Sequence, residues 1–398
     1  MRTSFCLLLC LAVNGCSDAL PQREQPVGTC TLEADCGTSG QVCKANQCVP
    51  CSAHGDCASQ VCDSYGDLGG VGRCAPPSNI IYVNNSDPDA QDCAVGQGTQ
   101  ALPFCEVTQA MAQLAVQPGK IISLQKSPTA YQVPPLDSTP GSMVLVGPGA
   151  SAAGKQAVLV TTALDAHLQV GGGTSLVLDG VVLSVAGISA APNAKVALRQ
   201  STITSLEHGA AFDGSQVILD RDLFTQNNLR LSFSSSTVSI TNTVIAGNAA
   251  EPSMNLIEVI GGSGVFQFNT VAYNSLSSTT APVLSCVNAA GFAVKNSIFV
   301  QNGSTQQLAP GCAAVGNSLI VGQQDTTPGQ LKQEPAFAAP ALLDLRLQPL
   351  DPTNREFIFD KAVQVNPSAE KNVDHDYSGT PRPQGAGHDI GAFELLTR

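Results

Sequence analysis

The chain has 398 residues, 15 Cys, no Trp, 13% charged residues and a formal charge of −12. That length accommodates one large domain and a small one, and sparse charge with plentiful Gly, Ser, Thr and Asn suits a β-rich exported protein better than a cytosolic helical one. The acidity leaves no basic patch to meet phosphates, which argues against a nucleic-acid partner.

Residues 1–15 open with a short charged region followed by an apolar run at 5–13. The run is too short to span a membrane and reads as an export signal. Its ending, Val13-Asn14-Gly15-Cys16, resembles a bacterial lipobox, with Asn14 where a small residue is usual. The resemblance implies that Cys16 is acylated and becomes the mature N-terminus, so that the membrane is a partner through a lipid anchor. Cleavage without lipid is the alternative. By resemblance to Gram-negative lipoproteins, Ser17 after the Cys implies the outer membrane. Residues 16–29, with two Pro, read as a tether.

Residues 30–77 carry eight Cys in two similar halves. Cys30, Cys36, Cys43 and Cys48 form the first; Cys51, Cys57, Cys62 and Cys74 form the second. Both contain Cys-x4-Asp-Cys, through Asp35 and Asp56. So short an exported module needs disulfides in place of a large apolar core. The duplication favours pairing within each half, with the connectivity otherwise open. Zinc at Cys48-x2-Cys51 is the alternative. The module resembles small cysteine-rich repeats of bacterial surface lipoproteins, including ones likened to the Dickkopf cysteine-rich fold.

A first strand is predicted at Ile80–Val83. A helix follows over 107–115, with Val107, Met111, Leu114 and Ala115 on one face, and then a strand after Gly119. Cys93 and Cys105 read as a local staple. Parallel strands leave an open end, and an amphipathic helix can cover it. The block resembles the start of the pectate-lyase-like right-handed β-helix, which implies that the helix is a lid.

An apolar pattern then repeats around anchors at Gly180, Gln200, Arg221, Asn242, Asn269, Asn296 and Asn317, in steps of 20, 21, 21, 27, 27 and 21 residues. Leu178, Leu198, Leu219, Ile240, Val294 and others fall two before the anchors. Val182, Thr202, Leu223, Val244, Val271, Ile298 and Leu319 fall two after. Alternation places these on one face of a strand, and a period near 21 makes a solenoid. Gln267 breaks the pattern, and its flanking Phe266 and Phe268 predict a one-residue register shift. Asn at the anchors tolerates unusual backbone angles and can stack between coils. Asn227, Asn248, Asn302 and Gln323 mark a second polar corner. Extra residues near 251–255 and 277–281 should bulge. Cys286 and Cys312 fall in neighbouring coils and can be bridged. The predicted fold is all-β, a right-handed parallel β-helix over 78–340.

Residues 341–398 contain Asp374-His-Asp-Tyr-Ser-Gly-Thr-Pro and Asp389-Ile-Gly-Ala-Phe-Glu394. This run resembles the C-terminal region called choice-of-anchor Q, which follows β-helix repeats in bacterial surface proteins. The resemblance implies surface display. The physical expectation is an end cap, with Ile390 and Phe393 over the last coil. Asp374, Asp376 and Ser378 alternate before Gly379, as ligands in calcium loops do, although the Glu expected at the twelfth position is Gly385.

Catalysis on a polysaccharide needs grouped carboxylates. The candidate is Asp179, Arg199 and Asp220 on successive coils, beside Arg221 and Asp222, with His208 and Asp213 within one coil. The same ladder also suits a soluble sheet face. No phosphate loop, His-Glu-x-x-His or nucleophile elbow is present. The sequence therefore predicts a non-catalytic, lipid-anchored surface scaffold that binds polysaccharide or another surface protein. A polysaccharide lyase or glycoside hydrolase on the acidic face is the alternative.

Overall fold

The computed structural model describes residues 30–33, 35–36, 40–66, 70–86, 96–134, 141–149, 157–161, 167–250, 254–309, 311–314, 316–321, 330–331, 333–364 and 373–395. The export signal, Cys16, the tether, Cys93 and Gln323 lie outside them. The chain divides into two units, Met1–Ala58 with Cys62–Cys74, and Ser59–Val61 with Ala75–Arg398.

The first unit is held by cystines Cys30–Cys43, Cys36–Cys48, Cys51–Cys62 and Cys57–Cys74. Pairing stays within each half, as the duplication implied, and joins the first Cys to the third and the second to the fourth, which the sequence had left open. Cys48 and Cys51 bond to different partners, so they are not free thiolates for zinc. Buried Val42, Cys51, Cys57 and Cys62 form its small core. The duplicated Asp closes the same loop in both halves: Asp35 Oδ2 accepts from the Thr31 and Leu32 amides, and Asp56 Oδ2 from those of Ser52 and Ala53. Burial alone would push the Asp56 carboxyl up. Lys44 and the Ser52 and Ala53 hydrogen bonds outweigh it and hold it at about 2.

The second unit is a parallel β-solenoid. Among the described residues, two parallel sheets have ten strands each and a third has six. One coil supplies, for example, Lys195–Arg199 to the first sheet, Thr202–Thr204 to the second and Ala210–Asp213 to the third. Each strand pairs with its equivalents one coil before and after. Two left-handed bends bracket each of five successive strands of the second sheet. The anchor bend is at Gln200, Arg221, Asn242, Phe268 and Asn296, with φ of 49°, 58°, 51°, 55° and 52°. Five residues later come Ser205, Gln226, Gly247, Tyr273 and Gln301, again with positive φ. Few non-glycine residues adopt this region, so the bends are imposed by the stack.

The anchor bend resets the alternation. Val196, Leu198, Val217, Leu219, Val238 and Ile240 point inward before it. After it the inward residues are Leu183, Ile203, Phe224, Ile245, Val271 and Phe299, three past the anchor. The expectation that residues two past the anchor share the inward face is therefore corrected: Val244, Ile298 and Leu319 face outward into a second apolar cluster.

The shift at Gln267 is present. Val238 pairs with Gly264, Ile240 with Phe266 and Thr241 with Gln267. Phe268, not Asn269, is therefore the anchor of that coil. With the phase corrected, Asn274 joins Asn227, Asn248 and Asn302, six past the anchor. Asn227 Nδ2 donates to Asn248 Oδ1 at 2.9 Å, Asn248 Nδ2 to Asn274 Oδ1 at 2.9 Å, and Asn274 Nδ2 to Asn302 Oδ1 at 2.8 Å. Each of these amides also donates to a backbone carbonyl of the preceding coil. The stacked-Asn expectation thus holds at this second corner and not at the anchors.

Helix α1, Val107–Val116, buries Val107, Ala110 and Leu114 against Ile81, Val83, Ile122 and Leu124, closing the first coil as the expected lid. Ala110 replaces Ala115 on its buried face; Ala115 is exposed. Cys105, just before it, is disulfide-bonded. The Cys286–Cys312 bridge across coils is also present. The bulge at 277–281 is tied down by Ser304 Oγ to the Ala281 carbonyl and by the Thr305 amide to the Thr279 carbonyl.

The C-terminal segment is a flank, not an end cap. Its hairpin Phe337–Ala339 and Asp344–Leu347, helix α2 (Pro352–Phe357), and Ile390, Ala392 and Phe393 pack on the outward Val244, Ala272, Ile298 and Leu319 of the second sheet. A Cβ at Gly391 would stand 2.6 Å from Ile298 Cδ1, so only glycine permits this approach. The Ala392 amide donates to Thr270 Oγ1 at 3.0 Å.

Candidate functional site

The first sheet ends one residue before the anchor bend, and its register puts Asp179 beside Arg199, Arg199 beside Asp220, and Asp220 beside Thr241. The predicted ladder therefore exists. It is not open: Asp179, Arg199 and Asp220 are 4%, 5% and 2% exposed, and Asp222 is 0% exposed. Asp220 Oδ1 accepts from Thr241 Oγ1 at 2.8 Å and Asn242 Nδ2 at 3.1 Å, while Oδ2 lies 3.3 Å from Arg221 Nε.

Asp222 belongs to a different column. One residue past each anchor, a side-chain oxygen accepts from the backbone amide of the preceding coil. Ser201 Oγ accepts from Val181, Asp222 Oδ1 from Ser201, Asn269 Oδ1 from Thr243, Ser297 Oγ from Asn269 and Ser318 Oγ from Ser297. Asp222 is the charged-type residue in a column of hydroxyls and amides. Its Oδ2 is buried with no hydrogen-bond partner. Burial pushes its carboxyl well above the ordinary range, the Ser201 amide opposes this, and Asp220 and Asp179 add to it. Burial with one oxygen unpaired therefore disfavours the charged form of Asp222.

The C-terminal segment lies over this corner. A Cβ at Gly379 would be 3.7 Å from Arg221 Nη1. Asp374 is held low by its hydrogen bond to His375, against burial, with Arg221 contributing. Burial, then the Asp222 charge, push the Tyr377 hydroxyl to about 12. His208 and Asp213 belong instead to the third sheet, just before and at the end of Ala210–Asp213.

The calcium candidate is divided. Asp376 is buried, with Oδ1 accepting from the Thr380 amide at 2.7 Å and Oδ2 from the Glu394 amide at 2.8 Å. Asp374 and Ser378 are exposed. Both Asp376 oxygens already hold the backbone of the segment, so a cation would compete with two charge-assisted bonds.

The strongest polar cluster escaped sequence reasoning. Arg382 Nη1 donates to Glu394 Oε2 at 2.7 Å, Nη2 to the Gly391 carbonyl at 2.8 Å, and both side chains of the ion pair are at most 1% exposed. Asp389 accepts from the Asp360 and Leu395 amides at 2.8 Å each. Burial first, then Glu394, push the Asp389 carboxyl to about 7. Burial likewise raises Glu394, with Arg382 opposing. The only sequence signal was the density of acids and glycines near the terminus. These hydrogen bonds tie the segment to itself, so the cluster folds the flank.

No protein-family model matches the chain, and no curated protein sequence matches it.

Proposed function

We propose that this protein is an exported, lipid-anchored surface β-helix that works as a non-catalytic binding scaffold, with Cys16 as the lipidated residue and the C-terminal region acting in display. The observation that carries the reading is the closure of the charged corner: all four candidate residues are at most 5% exposed. A general acid or base must come within hydrogen-bond reach of the substrate, and these side chains are buried. The outward column of the first sheet is Val144, Val177, Ala197, Ile218, Ser239, Val265 and Ala293, which contains no titratable group. That column offers area for contact and no acid or base. Cystines in both units fit an oxidising compartment. The choice-of-anchor Q resemblance supports surface display, and the pectate-lyase-like one supports the β-helix that would carry it.

Two experiments test this. Fatty-acid labelling of cells expressing the chain should mark the wild type and not Cys16→Ala. Incubation of the purified protein with a polysaccharide panel should release neither reducing ends nor unsaturated sugars. A product that disappears in Asp220→Ala would replace the scaffold reading with an enzyme, and a glycan array would then separate binding from turnover.

A further inference from the structure

Two of the chain's five histidines meet on the third-sheet side, 41 positions apart in sequence. The His167 and His208 rings have centroids 5.3 Å apart and planes inclined by 10°. They belong to coils separated by one full turn. Gly187 pairs in register with His167 on the intervening rung, and a Cβ there would stand 2.7 Å from His167 Nδ1 and Cε1. The missing side chain lets the two rings close over the gap. His167 is half-buried and His208 exposed. Among the described residues no hydrogen bond from another residue occupies their ring nitrogens.

We propose that His167 and His208 form a two-imidazole site for a divalent transition ion of the zinc class, stapling the coils on either side of Gly187. Two imidazoles bound tetrahedrally at Zn–N of about 2.0–2.1 Å have centroids about 5.2 Å apart, which matches the observed spacing. Turning the ring nitrogens to a common point needs rotation about χ2, which is soft for histidine. Arg230, on the rung next to Gly209, does not repel the ion as a bare charge, since Glu258 pairs with it at 2.7 Å. Water completes the coordination, so the site is accessible and exchangeable.

The test is calorimetric titration of the full chain with ZnCl2 at pH 7.5, on wild type, His167→Ala, His208→Ala, Gly187→Val and the control His388→Ala. The expected result is one zinc event that weakens at least tenfold in both single His variants and in Gly187→Val. It persists in His388→Ala. Circular dichroism confirms that the two His variants remain folded. Absence of binding by wild type, equal binding by His167→Ala, or loss in one His variant alone overturns the site.

Discussion

The Arg382 guanidinium carbon lies 4.6 Å from the centre of the Phe268 ring, over its face. Phe268 stands at an anchor bend, where the neighbouring coils carry Asn242 and Asn296. The one-residue shift at Gln267 puts this aromatic there, and the ring is fully buried against Val373 and Ala362. Asn296 does the same work on the next coil, accepting from the Val363 amide at 2.8 Å and donating back to its carbonyl at 3.2 Å. The irregular coil is therefore the docking coil for the C-terminal flank.

Phe268→Asn should detach that flank while leaving the solenoid folded. It removes a fully buried ring and the face on which Arg382 rests. Loss of a buried Phe costs about 3–5 kcal/mol, and a desolvated cation–π contact about 2 kcal/mol or less. Limited proteolysis should cut within 373–395 at least tenfold faster, with fragments ending before residue 340 surviving. Unchanged protection of the segment would remove Phe268 from this role.

The repeat and the helical lid were readable because the apolar pattern and the bend residues recur in steps of 20 or 21 residues, lengthened to 27 in two coils. The reading slipped where one residue changed phase. Asn269 resembles an anchor but sits one past it, and that slip hid Asn274 from the asparagine column. Residues two past the anchor were assigned inward because alternation was carried through the bend, and a left-handed residue resets it. The flank was illegible for a different reason. Its contacts, such as Gly391 on Ile298, join segments nearly a hundred residues apart and have no period to betray them. The corner residues Asp179, Arg199 and Asp220 were placed together correctly, but their burial has no signature in the repeat.

Asn248→Ala should be among the most damaging single changes in the solenoid. Asn248 Oδ1 accepts from the Asn227 amide nitrogen and from its Nδ2, and Asn248 Nδ2 donates to the Phe224 carbonyl and to Asn274 Oδ1. Alanine leaves these groups buried without partners, each costing about 1–3 kcal/mol before relaxation. A loss of about 3 kcal/mol or more is expected in urea unfolding, with local opening of the adjoining coils in hydrogen exchange. A loss below about 1 kcal/mol would mean that water replaces the ladder.

The flank should loosen as pH rises. Asp389 titrates at about 7 in the fold, against about 3.9 when unfolded. A carboxyl raised on folding contributes stability that is complete below pH about 4 and is lost as pH climbs through about 7. Its surroundings include Glu394 and Arg382 from its own segment and the Asp360 amide from the preceding loop. One proton gives a slope of at most about 1.4 kcal/mol per pH unit across that window. Hydrogen exchange within 373–395, corrected for its intrinsic pH dependence, should report less protection at pH 8 than at pH 5. Asp389→Asn should flatten the difference.

Asp222→Asn should stabilise the protein near neutral pH. Asp222 Oδ1 already accepts from the Ser201 amide at 3.0 Å, and its Oδ2 has no partner. Asn269 shows what an amide does in the same column: its Oδ1 accepts from the Thr243 amide at 2.9 Å and its Nδ2 donates to the Ile240 carbonyl at 2.9 Å. By that geometry the new amide reaches the Leu198 carbonyl and satisfies the vacant side. The gain is one net hydrogen bond, about 1 kcal/mol, plus removal of a carboxyl whose ionisation the fold resists. Because the Asp222 carboxyl is raised, the wild type should lose stability relative to the variant as pH increases. Urea unfolding at pH 6 and pH 9 measures both effects. A variant less stable than wild type at both values would show that the carboxyl has a partner the ladder does not account for.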